Sequence, residues 1–171
     1  MSDGKRSSLN RIRAFLFAPA QPPWLYCLSV FVLALLPSIA LLASAYGVLI
    51  LCGGDASTLL PAESTTTFVD AFGTAVIAPV VETFFLAAGL KILSGFISDK
   101  ALAALASGII WGAFHALFGL LWFFSTFWSF FVYSCAYLAL RGASFRKAYI
   151  AAALPHALVN LSVLSLQVFI G

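Results

Sequence analysis

Charge is what this chain most lacks: across 171 residues only 9% are charged, with nine Lys and Arg against six Asp and Glu. Soluble domains carry about 25%. That deficit excludes a soluble globular protein, and no basic stretch is dense enough to track a nucleic-acid backbone, so no nucleic-acid partner is expected. Cysteine is also scarce. Cys27, Cys52 and Cys135 show no Cys-x-x-Cys spacing, and their odd number argues against a disulfide framework. Cys27 and Cys52 would lie nearly 40 Å apart, on the order of 1.5 Å per residue along one helix, too far to bridge. No His-Glu-x-x-His motif is present either.

What is there in abundance is apolar sequence, 63% hydrophobic with a mean hydropathy of +1.06. A hydrocarbon span needs about 20 apolar residues. The length therefore predicts an all-α fold, a polytopic transmembrane helix bundle of about five spans, with no room for a soluble domain. An integral membrane protein in contact with lipid, in a plasma membrane of bacterial type, is the expectation.

Residues 1–23 hold Lys5, Arg6, Arg11 and Arg13, then Pro19, Pro22 and Pro23, which makes them a basic tail rather than a span. Residues 24–171 form a single membrane domain. The apolar run from Trp24 to Cys52 is about twice the length of a signal-peptide core, so an uncleaved first helix is expected, kinked at Pro37. Residues 53–70 are polar and acidic, a loop in water. The second helix runs from about Asp70 or Ala71 to Ile92. The third is expected from Ala101 to about Phe123, with Gly108, Gly112, His115 and Gly119 on one packed face. The fourth is the aromatic segment Phe124 to Leu140, whose start resembles an interfacial belt. The fifth runs from Ala148 to about Ile170. Threading five spans puts all nine Lys and Arg on one side. The positive-inside rule then places the N-terminus in the cytoplasm and the C-terminus outside.

Against that background one residue stands out. Glu82 is the only ionisable side chain between Ala71 and Leu90, and an acid at membrane depth costs roughly 2 to 4 kcal/mol by insertion scales. Both histidines of the chain, His115 and His156, also sit in apolar runs. Counted from the basic helix ends at 1.5 Å per residue, all three fall about 13 to 23 Å above the cytoplasmic edge, where they can meet. Asn160, four residues past His156, shares its face a turn deeper. A single intramembrane His or Asn more often bonds a neighbouring helix than does chemistry, but four polar residues at one depth imply a polar cavity.

Glu82-Thr83, Trp111-Gly-Ala-Phe-His115 and His156-Ala-Leu-Val-Asn160 resemble the three motifs of the CPBP family, which includes CAAX-type prenyl proteases and bacterial immunity or bacteriocin-processing proteins. The resemblance spans Val80 to Asn160, with a CPBP-like core at about 71–170. The family's motifs usually read Glu-Glu-x-x-x-Arg, Phe-x-x-x-His and His-x-x-x-Asn. Here Thr83 replaces the second Glu, Ala87 the Arg and Trp111 the Phe.

The resemblance implies an intramembrane endopeptidase of glutamate type, often labelled a metalloprotease, acting on a membrane-associated, prenylated or peptide substrate. In that reading Glu82 takes a proton from water that His115 positions. His156 and Asn160 donate to the oxyanion. No cofactor is required. Zinc is a possible alternative, and its ligands would be His115, His156 and Glu82, at the cost of the free base. Two other classes stay open: a non-catalytic scaffold that binds membrane peptides or partner helices, and a proton-coupled transport module in which Glu82 carries the proton and the histidines relay it.

Overall fold

Helix-starting signals and turns set off five long helices among the described residues. The computed structural model describes residues 14–17, 21–55, 59 and 67–170. Helix α1 spans Pro23–Leu51, α2 Phe68–Phe96, α3 Lys100–Ala116, α4 Trp122–Leu140 and α5 Phe145–Ile170. Among the described residues there is no strand. The protein is an all-α polytopic membrane bundle: α1, α2, α4 and α5 are each long and apolar enough to cross a membrane, and α3 is a shorter apolar helix of 17 residues.

The boundaries have local causes. Pro23 opens α1 at a position where its missing N–H costs nothing. Thr67 and Asp70 form a reciprocal capping box at the start of α2, the Asp70 carboxylate accepting from the Thr67 N–H at 3.1 Å. Asp99 caps α3 by accepting from the Ala101 and Leu102 N–H groups at 2.8 and 3.0 Å. Pro37 and Pro155 lie inside α1 and α5.

The expected third span is cut short. Helix α3 ends at Ala116 and the chain turns through Leu117 to Leu121, so α4 starts at Trp122. Gly119 falls in that turn and is not on the packed face with Gly108 and Gly112. Those two glycines do lie on it. A Cβ on Gly108 would sit 2.7 Å from the Phe127 carbonyl, and one on Gly112 would sit 3.0 Å from the Phe127 Cβ. The missing side chains let α3 and α4 approach backbone to backbone.

The core lies where α1, α4 and α5 meet, around Tyr26, Val30, Ala34, Val132, Cys135, Ala148 and Ala152. Polar bonds tie the layers together. The Ser38 hydroxyl donates to the Ser125 carbonyl at 2.9 Å, and the Trp128 indole donates to the Leu33 carbonyl at 2.8 Å. Large apolar side chains such as Leu36, Phe84, Phe96 and Ile110 face outward, as lipid contact requires.

Short connections fold α2 on α3, α3 on α4 and α4 on α5. Lys100, Arg141, Arg146 and Lys147 all fall at the α2/α3 and α4/α5 turns or in the first residues after them. The Leu121 N–H at the α3/α4 turn donates to the Leu59 carbonyl at 3.1 Å, which places the α1–α2 connection at that same end. Most of that expected watery loop, and the basic residues of the leader, lie outside the described residues. Residues 14–17 form a helical turn held by the Tyr26 hydroxyl, which donates to the Leu16 carbonyl at 3.1 Å.

Candidate active site

Helix α2 carries Glu82 into a layer where α3, α4 and α5 also present their polar and aromatic groups. The carboxylate Oε2 lies 4.0 Å from His115 Nε2 and 3.7 Å from His156 Nε2. Both separations are too long for a direct hydrogen bond and short enough for one water to span. Oε2 is buried and accepts no hydrogen bond from the described residues. The side chain as a whole keeps 25% exposure, against 17% for His115 and 6% for His156. Three residues that the sequence places in separate spans are thus brought to one point.

The ring of His115 has its chemistry fixed by its own helix. Its Nδ1 lies 3.0 Å from the Trp111 carbonyl, and a carbonyl can only accept, so Nδ1 holds a proton, and in the neutral ring the Nε2 lone pair faces Glu82. Trp111 therefore serves the site through its backbone. Its indole stacks on Phe130 at 4.4 Å between centroids.

Phe130 in turn lies against both imidazoles, 5.6 Å from His115 and 5.1 Å from His156. On its other side His156 stacks on Tyr133, with centroids 4.9 Å apart and planes 22° from parallel. The aromatic run of α4 gave no sequence signal that set Phe130 and Tyr133 apart from their neighbours; only their spacing of three residues on one helix face could have paired them.

Asn160 is placed differently. Its amide Nδ2 donates to the Thr74 carbonyl at 2.9 Å, and Thr74 lies eight residues before Glu82, about 12 Å along the helix. The reason is local. Residues Gly73–Ile77 make a π-helical turn, in which the Ala78 N–H reaches back five residues to the Gly73 carbonyl. The next such bond would run from residue 79 to Thr74, but residue 79 is proline and has no N–H. Asn160 supplies the donor that Pro79 withholds.

Thr83 and Ala87, one turn apart on α2, are both buried. A Glu and an Arg at these two positions would share one helix face as a pair; both being neutral leaves no uncompensated charge in the core. Comparison of the chain with protein-family models, with curated proteins and with solved structures finds no match in any of the three.

Two imidazoles and one carboxylate are a donor set seen in hydrolytic zinc sites. Bonds of about 2.0 to 2.1 Å in a tetrahedron would bring the donor atoms to roughly 3.4 Å, closer than the 3.7 and 4.0 Å found here.

Beside Glu82 the bundle surface is indented. A cleft of about 420 Å³ between α2 and α3 is lined by Val81, Glu82, Phe85, Ile110, Trp111 and Phe114. Glu82 is its only charged residue. Val81, Phe85, Ile110 and Phe114 are all exposed on the outer surface of the bundle, so the cleft opens toward the membrane.

Proposed function

We propose that the protein is an intramembrane endopeptidase that hydrolyses a peptide bond of a membrane-associated substrate with water activated by Glu82. The observation that carries this reading is the convergence of Glu82 Oε2 on the Nε2 atoms of His115 and His156, at 4.0 and 3.7 Å, with no hydrogen-bond partner among the described residues. The motif resemblance at Glu82, Trp111 to His115 and His156 to Asn160 supports the same chemistry.

The donor pattern favours water as the shared ligand. Ionised Glu82 and the His115 Nε2 lone pair are both acceptors, so they oppose each other unless a donor lies between them. A water donating one hydrogen to each is held with its lone pairs outward. It attacks the peptide carbonyl carbon while its proton passes to Glu82, and the carbonyl π electrons move to oxygen. His156, as the Nε2–H tautomer, donates to the resulting oxyanion. Collapse breaks the C–N bond, and the proton held by Glu82 goes to the leaving nitrogen. Asn160 fixes α5 on α2 and so holds His156 against Glu82. An apolar cleft beside Glu82 suits a substrate that arrives through the lipid.

The test uses the full-length protein in proteoliposomes with a pool of internally quenched peptides, each bearing a 20-residue apolar anchor or a prenylated cysteine. Glu82→Gln keeps size and polarity but cannot take up the proton. It should abolish cleavage while peptide binding persists. A carrier that relays protons through Glu82 would instead lose proton flux and show no cleavage in the parent.

A further inference from the structure

Helices α2 and α5 each carry a proline close to the residue they bring to the site. Pro79 stands three residues before Glu82, and Pro155 directly before His156. A proline withholds one bond of the helix ladder and crowds the carbonyl four residues back, so the helix on one side of it does not by itself fix the direction of the helix on the other. Holding His156 Nε2 at 3.7 Å from Glu82 Oε2 therefore calls for contacts on both sides of each proline.

Two hydrogen bonds between the helices supply them. Asn160 Nδ2 donates to the Thr74 carbonyl, a contact that follows Pro155 on α5 and precedes Pro79 on α2. The Tyr149 hydroxyl donates to the Val80 carbonyl at 2.5 Å, a contact that precedes Pro155 and follows Pro79. Together they bracket both prolines. Along α5 His156 lies seven residues after Tyr149 and four before Asn160, and at 3.6 residues per turn all three fall within about 40° of one line down the helix. Each of the three reaches toward α2.

A tyrosine that only anchors a helix at the membrane surface keeps its hydroxyl in the wet headgroup layer. The Tyr149 hydroxyl is turned instead onto backbone two residues from Glu82. A helical carbonyl keeps a second lone pair after its own ladder bond, so the contact takes nothing from α2. The ring is steadied by Phe145 one turn earlier, 5.8 Å away between centroids. Membership of α5 in the bundle does not depend on this bond, because Ala148, Ala151 and Ala152 are buried in the core shared with α1 and α4.

We infer that Tyr149 is a positioning residue, whose hydrogen bond to Val80 sets the register of α5 on α2 and so the distance of His156 from Glu82. This rests on the hydrolytic reading of Glu82. Tyr149 touches neither substrate nor water in the reaction; it acts through His156, which must meet the oxyanion as the water activated by Glu82 attacks.

Tyr149→Phe tests it, since Phe keeps the ring on Phe145 and removes only the hydroxyl. A misplacement of about 1 Å in an active site can lower turnover about 10²-fold. A fall in kcat of about 10- to 10²-fold is expected, with the KM for the anchored quenched peptide nearly unchanged. The geometry is read without turnover. The chain has two Glu and two His, so isotopic labels at the Glu carboxyl carbon and the His ring nitrogens report the Glu82 contacts by dipolar coupling in proteoliposomes, with the two imidazoles told apart by the His115→Gln spectrum. In Tyr149→Phe the coupling of Glu82 to His156 should weaken, while that to His115 on α3 stays as in the parent. A merely structural bond would leave both couplings as they are or lower both together, and either result overturns the inference. So does a Tyr149→Phe protein that cleaves within about twofold of the parent. If the parent does not cleave, or Glu82→Gln cleaves as the parent does, the hydrolytic reading itself fails, and the two couplings alone then decide whether Tyr149 sets the His156 distance.

Discussion

Asn160 Nδ2 donates to the Thr74 carbonyl at 2.9 Å, and Thr74 stands five residues before Pro79, the spacing of a π-helical hydrogen bond. The proline ring would also crowd the carbonyl four residues back in a regular α-helix, and the wider turn at Gly73–Ile77 relieves that crowding. One residue on α5 thus compensates for one on α2, just ahead of Glu82.

That pairing makes a measurable cycle. Asn160→Ala should cost about 0.6 to 1.7 kcal/mol, the range for interhelical hydrogen bonds in membranes. Pro79→Ala restores an N–H at position 79 and lets the helix satisfy its own carbonyls, so the Asn160→Ala penalty should shrink in that background. Equal penalties in the two backgrounds, measured by unfolding in mixed micelles, would show that the contact is incidental.

The contact of α3 with α4 gives a second prediction. Because a Cβ on Gly108 meets the backbone carbonyl of Phe127 at 2.7 Å, no side-chain rotation can relieve the clash. Gly108→Val should separate the two helices and cost about 1 to 3 kcal/mol or more, as overpacking does. Gly89→Val, where a Cβ meets nothing within 4 Å, is the control and should leave the thermal midpoint nearly unchanged. Equal losses for the two would mean that α3 and α4 are not in close backbone contact.

Orientation can be read by labelling. With Cys27, Cys52 and Cys135 replaced by Ala, a cysteine at Ser57 should react with an impermeant maleimide in intact cells and one at Ser144 should not. The expectation follows from the basic residues near the α2/α3 and α4/α5 turns and from the Leu121 to Leu59 bond at the opposite end. The reverse pattern would invert the protein in the membrane.

Metal dependence separates two ways of using the same three residues. Under the water-and-glutamate scheme, dialysis against EDTA should leave the cleavage rate within about twofold. Loss of activity that zinc restores would make Glu82 a ligand and remove it as the base.

The helix count was legible because apolar runs here are bounded by charge: Lys91 and Lys100 bracket one turn, Arg141 to Lys147 the next. The meeting of Glu82, His115 and His156 at one level followed from the same markers. The break after Ala116 was not legible, since Leu117 to Phe123 is as apolar as a helix interior and Gly119 continues the small-residue spacing. The π turn escaped for a different reason. Pro79 announces an orphaned carbonyl, but α-helical counting assigns it to Ala75, and only the inserted residue moves it to Thr74. Tyr133 was hidden in a run of aromatic residues whose composition alone reads as a membrane-interface belt.

The cleft between α2 and α3 gives the last prediction, which separates access from chemistry. Ile110 lines the cleft and is 56% exposed, so enlarging it to Trp fills the opening without disturbing the core. For a substrate that enters through the lipid, Ile110→Trp should raise KM by about tenfold with kcat within about twofold, the signature of lost uniform binding. A short quenched peptide without an anchor can approach through water, and its cleavage should be much less affected. The comparison depends on Glu82, His115 and His156 being untouched, which the unaltered kcat checks directly. If Ile110→Trp leaves KM for the anchored peptide unchanged, substrates do not pass between Val81, Phe85, Ile110 and Phe114. Entry must then be sought at another face of the bundle.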